Sequence, residues 1–153
     1  MKKYKIKITR DKITYPVFYF QSAQQIKKFI GRNKIIVKVP FNKFVLPKEI
    51  SRLKLIQIDN GSKRKGWSPI KAKKSFGKRK RGLNLIEGLW LVVLYPKILN
   101  DHAIDLVASR YGKECVPTIY KWKNKIYLSA ICPDVSDSMC GAPAVYKTKN
   151  NYI

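Results

Sequence analysis

The chain is poor in acid. Nine Asp+Glu stand against 33 Lys+Arg, a formal net charge of +24 over 153 residues. So few carboxylates argue against a paired-carboxylate acid–base centre, and Asp134 and Asp137 read as turn formers. Histidine is nearly absent too: His102 is the single one. Three cysteines, Cys115, Cys132 and Cys140, are an odd number with no CxxC pair. That argues against a disulfide framework and fits a reducing compartment. Together with His102 they lack the tight pairs of zinc ribbons and knuckles, so core thiols are expected and no metal. A Cys–His nucleophile pair has no recognisable signature here, and no catalytic residue is assigned. P-loop, dinucleotide fingerprint and HExxH are all missing, so no cofactor is expected. Long apolar runs are missing as well: none approaches the roughly 20 residues that cross a bilayer. The first residues, MKKYKIKITR, contain no apolar core of a secretory signal. A cytoplasmic protein with no membrane partner is the expectation.

What is present is lopsided. Residues 1–81 hold 25 Lys+Arg and 3 acids, whereas residues 82–153 hold 8 and 6. The excess peaks in residues 61–82, GSKRKGWSPIKAKKSFGKRKRG, which contain no acid. Like charges and sparse apolar side chains predict a segment that cannot bury itself. Four glycines and Pro69 mark it as a loop, and loops this long inside a domain are commonly functional or disordered. Directly after it, residues 84–95, NLIEGLWLVVLY, carry the single charge of Glu87. Apolar on every side, that stretch predicts a buried helix, with Asn84 as cap and Glu87 at its positive end.

The rest predicts an α+β protein. Residues 3–9 alternate Lys3, Lys5 and Lys7 with Tyr4, Ile6 and Ile8, the period of a half-buried strand. Residues 13–20 are β-branched and aromatic, with Pro16 pointing to an edge or a bulge. Ser22 and Gln25 match a capping box before a helix that ends near Gly31. Strands are expected at 34–39 and 53–59. The division expected is a small β-β-α-β-β unit at 1–60, a basic loop at 61–82, a helix and β-hairpin unit at 83–146, and a tail at 147–153. In the hairpin, Lys123–Asn124 form the turn, and Trp122 faces Lys125, Tyr120 faces Tyr127 and Ile119 faces Leu128. A last short strand falls at 144–146.

Four stretches in the second half, GLNLIEGLWLVVLYPKIL (82–99), DLVASRYG (105–112), VPTIYKW (116–122) and MCGA (139–142), carry an ordered motif set. The set resembles an uncharacterised bacterial domain family, in which a GL-x-L-x-EG helix ends at YP or HP. An SR-x-G, a VP-x-[LI]-x strand and a late CG follow. The resemblance covers residues 82–142 and implies no activity and no catalytic residue.

Function is read from the cations. Lys63, Arg64, Lys65, Lys71, Lys73, Lys74, Lys78, Arg79, Lys80 and Arg81 are candidate phosphate contacts, and Trp67 is a candidate stacking face. Phe76 and the glycines fit the same use. The expected partner is nucleic acid, RNA over DNA, in a ribonucleoprotein assembly. The competing readings are a solvated charged loop, a module docking an acidic protein and a small Cys/His enzyme. Lys3, Lys5 and Lys7 suit edge protection as well as phosphate contact. Tyr120, Trp122 and Tyr127 suit core packing as well as a platform for bases.

Overall fold

Ile13, Tyr15 and Val17 alternate with Lys12, Thr14 and Phe18, and the pleat sends the first three inward. The strand belongs to the computed structural model, which describes residues 5–48 and 53–147. The strands are β1 (Lys7–Thr9), β2 (Lys12–Phe18), β3 (Ile36–Val37), β4 (Phe44–Val45), β5 (Leu53–Asp59), β6 (Lys80–Gly82), β7 (Ala103–Asp105), β8 (Arg110–Tyr111), β9 (Val116–Trp122), β10 (Lys125–Ile131), β11 (Cys140–Gly141) and β12 (Ala144–Tyr146). The helices are α1 (Ala23–Arg32), α2 (Pro69–Ser75) and α3 (Leu85–Leu94). The fold is α+β. Residues 3 and 4 of the first expected strand, and the last residues of the tail, lie outside the described residues.

The first sheet runs β1-β2-β5-β12-β6 and is antiparallel throughout. β1 covers β2 only as far as Thr14. Pro16, which has no N–H to give, therefore sits where β2 has β5 alone beside it. The second sheet runs β11-β7-β9-β10-β3. Its hairpin has the register expected, Lys125 opposite Trp122, Tyr127 opposite Tyr120 and Leu128 opposite Ile119. Lys123 and Asn124 turn the chain with φ of 46° and 62°, the positive values a two-residue hairpin turn requires. β4 and β8 form a separate pair.

Two expectations need correction. The strand expected at 34–39 shortens to β3, which joins β10 of the second sheet. Residues 1–60 therefore do not close a sheet of their own. Residues 61–82 are no open loop either: they hold a 3-10 turn (Ser62–Arg64), α2 and β6. β12, from far down the chain, slots between β5 and β6 and ties this segment into the first sheet.

α3 forms as its caps dictate. The Asn84 side chain accepts from Glu87 N, and Glu87 Oε1 accepts from Asn84 N, each at 2.9 Å. Leu85, Ile86, Leu89, Leu91 and Val92 are fully buried in one core with Tyr15 and Ile56 of the first sheet and Ile104, Ile119 and Leu128 of the second. Each such side chain contributes about 1.5–3 kcal/mol through burial. At Gly88 the helix approaches Leu106 so closely that a Cβ would lie 2.3 Å from Leu106 Cδ2.

Candidate nucleic-acid interface

The charged segment folds because a few of its residues are not charged. Ser68 accepts from Lys71 N at 3.3 Å and starts α2, with Pro69 in its first turn. Ala72 and Phe76 then pack with Val107, Ala142 and Ala144 in a second, smaller core. This anchors one side of α2 and turns Lys71, Lys73 and Lys74 to solvent. Gly77 (φ 62°) reverses the chain, leaving Lys78 and Arg79 exposed before β6.

Three of the ten candidate cations serve the fold instead. Arg64 is buried at 8% exposure. Its Nη1 donates to both oxygens of Asp59 (2.8 and 3.0 Å), its Nε to Ser75 Oγ (2.9 Å), and its guanidinium lies over Phe76. Lys80 Nζ reaches the other side of Asp59 at 3.1 Å. Arg81 grips Glu87 with two bonds of 2.7 Å. A carboxylate taken out of water needs a paired cation, and Asp59 and Glu87 take theirs from the basic segment. Tyr19 adds its hydroxyl to Glu87 Oε2 at 2.9 Å. Burial, then the Glu87 charge, holds the Tyr19 phenol above its usual range, so it stays a donor.

Lys63, Lys65, Lys71, Lys73, Lys74, Lys78 and Arg79 remain exposed. Of these, Lys65 stands 3.9 Å from the exposed Asp101, a separation that water and salt screen. Trp67 is half-buried and Lys71 Nζ sits 4.5 Å over its ring, so part of its face is taken.

The outward face of the first sheet continues this surface. Register and pleat place Lys7, Lys12, Thr14, Gln57, Lys80 and Tyr146 on the face away from α3. Gln57 Nε2 donates to Thr14 Oγ1 at 3.3 Å. The Tyr146 ring lies between Lys12 Nζ (5.0 Å) and Lys80 Nζ (4.7 Å). Sequence reasoning passed over Tyr146 because a three-residue strand is too short to show alternation. Lys12 opposite Asp59 in the register would have been the signal, had the pairing been known.

The residues weighed for zinc separate into two places. Cys115 and Cys132 face each other across the hairpin base with sulfurs 3.6 Å apart. His102 and Cys140 line another cavity, where burial pushes the Cys140 thiol up to about 12. Among the described residues no group of three or more His, Cys, Asp or Glu is placed to hold a metal ion. No helix among them is long and apolar enough to cross a membrane. Compared with family models, curated proteins and solved structures, the chain matches none.

Proposed function

We propose that this protein binds nucleic acid through the phosphate backbone, RNA in preference to DNA, as part of a ribonucleoprotein assembly. The observation that carries the reading is the cationic surface of α2 and its flanks. Lys63, Lys71, Lys73, Lys74, Lys78 and Arg79 are exposed there, and none has a carboxylate within ion-pair distance among the described residues. Such a cluster costs stability through self-repulsion unless a polyanion or salt answers it. Each phosphate neutralised releases condensed counterions, so affinity falls with salt. Six contacts predict a log K against log salt slope of about −5 on duplex and about −4 on a single strand.

The test is an anisotropy titration of labelled strands at several salt concentrations. A slope near zero would sink the reading. Replacing Lys73, Lys74 and Lys78 together by Gln should flatten the single-strand slope by about 2, since each lost contact removes about 0.7. A pull-down before and after nuclease treatment tells this from a module docking an acidic protein. A partner retained after nuclease would favour the protein.

A further inference from the structure

A cavity of about 540 Å³ opens on the second sheet, between the hairpin and residues 133–140. Ligand sites commonly span about 300–1,000 Å³. Tyr120, Trp122, Val135, Asp137, Met139 and Cys140 are among its walls. Three of these are large apolar groups left in water: Trp122 at 61% exposure, Met139 at 58% and Val135 at 45%. Apolar side chains exposed around a concavity mark a place that something else covers.

One acid, Asp137, lines the cavity, and a second, Asp105, lies buried behind Thr118 and Cys140 on the same face of the sheet. Asp105 pairs with Thr118 and Cys140 with Ala103. The pleat therefore puts Ala103, Asp105, Thr118, Tyr120 and Cys140 on the cavity's face of the sheet. Asp105 is 1% exposed, and neither carboxylate oxygen has a hydrogen-bond partner among the described residues. The Thr118 hydroxyl donates to Ile104 O instead, at 3.3 Å. Asp137 reaches the cavity from the opposite wall. Its Oδ1 accepts from Met139 N at 2.8 Å, which leaves Oδ2 for a ligand.

The cationic segment builds that wall. Gly66 N donates to Cys140 O (2.8 Å) and Ile70 N to Pro133 O (3.0 Å). Lys65, Trp67 and Lys71 adjoin these two anchors in sequence, so the phosphate-binding surface runs to the cavity's lip. Lys121 stands on the other lip, its Nζ donating to Asn100 Oδ1 at 2.9 Å, and Lys123 Nζ lies 5.8 Å from the Trp122 ring centre.

We propose that this cavity takes one unstacked nucleobase of a single strand whose phosphates lie along the α2 surface. The base stacks on Trp122 and offers its amino group to Asp137. The inference rests on the phosphate-backbone reading and adds a base site to it. An apolar slot flanked by cations, with the Asp137 carboxylate in its wall, fits a flat, amino-bearing ring on a polyanion. It fits an anionic headgroup badly, because the Asp137 carboxylate lines the interior.

The test uses three labelled single strands of equal length: all-cytosine, all-uracil, and an abasic strand with the same phosphates. Anisotropy is read with the full chain and with Trp122→Ala, whose exposed side chain can be cut without touching the core. A second variant, Met139→Ala, trims the opposite rim. Stacking is worth enough to make the cytosine strand bind about 5- to 150-fold tighter than the abasic one. That gap should shrink in both variants, while abasic binding stays unchanged. Equal binding of cytosine and abasic strands would overturn the base site and leave the phosphate reading intact. A gap that survives both variants places the base elsewhere and overturns the assignment. Uracil bound as tightly as cytosine overturns the Asp137 contact. No binding of any strand overturns the phosphate reading and, with it, the base site.

Discussion

Glu87 is the group whose loss the fold should feel most. It is fully buried, and its two oxygens accept four hydrogen bonds: from Arg81 Nη1 and Nη2, from Tyr19 Oη and from Asn84 N. Glu87→Gln keeps the shape and removes the charge. Whichever way the amide turns, its NH₂ meets donors, because Oε1 serves Arg81 and Asn84 and Oε2 serves Arg81 and Tyr19. Breaking one side of a buried pair costs about 3–5 kcal/mol. Water recovers some of that, since the Arg81 side chain is 34% exposed, so the lower end applies, about 3 kcal/mol. At this chain length that lowers Tm by roughly 6–12 °C. Far-UV circular dichroism melts and urea titration measure it. Adding Arg81→Met to Glu87→Gln removes the orphaned cation, and the double variant should be more stable than the sum of the singles by over about 1 kcal/mol. A single-variant cost below about 0.5 kcal/mol, or strict additivity, would refute the account of Glu87 as the lock between α3 and β6.

Two further predictions follow from the cavity and the hairpin. Burial pushes the Asp105 carboxyl up to about 7, the nearby Thr118 hydroxyl opposing and the Asp137 charge adding to the shift. A folded-state value raised above the unfolded one means the native state holds the extra proton. Stability from this group is then full below about pH 4 and is lost as pH rises through about 7, by up to about 4 kcal/mol. Asp105→Asn should remove that decline, and urea midpoints of both proteins across this range would show parallel curves if the reasoning is wrong. Cys115 and Cys132 should join on treatment with diamide, which takes up the two thiol hydrogens as the disulfide forms, because their sulfurs are already 3.6 Å apart. Buried Cys140 should stay a thiol, and peptide mapping that finds it in the bridge would contradict the placement.

What could be read in advance was local. The Asn84 and Glu87 box, the run of apolar residues behind it and the two-residue turn at Lys123–Asn124 lie within a few positions of their partners. The structure has them where pattern and propensity put them. What could not be read was pairing at a distance. β12 is three residues long and meets Asp59, 85 positions earlier, through Ala144 N. No periodicity announces such a contact. The same blindness affected the cations. Arg64 looks like Lys63 and Lys65 in a row of charge, and only Asp59, already fixed at the end of β5, singles it out.

That distinction explains how a segment this charged keeps a shape. Asp59 stands before the basic run and Glu87 after it, two of only nine acids in the chain. Asp59 draws in Arg64 and Lys80, and Glu87 draws in Arg81. The run is therefore fastened near both ends to the first sheet and to α3, while Ala72 and Phe76 pin its middle. The cations that reach no buried carboxylate are left outward: Lys63 and Lys65 on either side of Arg64, and those from Lys71 to Arg79. Charge of one sign thus does two jobs, decided by which residues a buried carboxylate can reach. The jobs separate under salt: pairs shielded by protein are screened far less than exposed lysines. Salt that strips a polyanion from α2 should therefore leave the Arg64–Asp59 and Arg81–Glu87 bonds, and the surface they hold, in place.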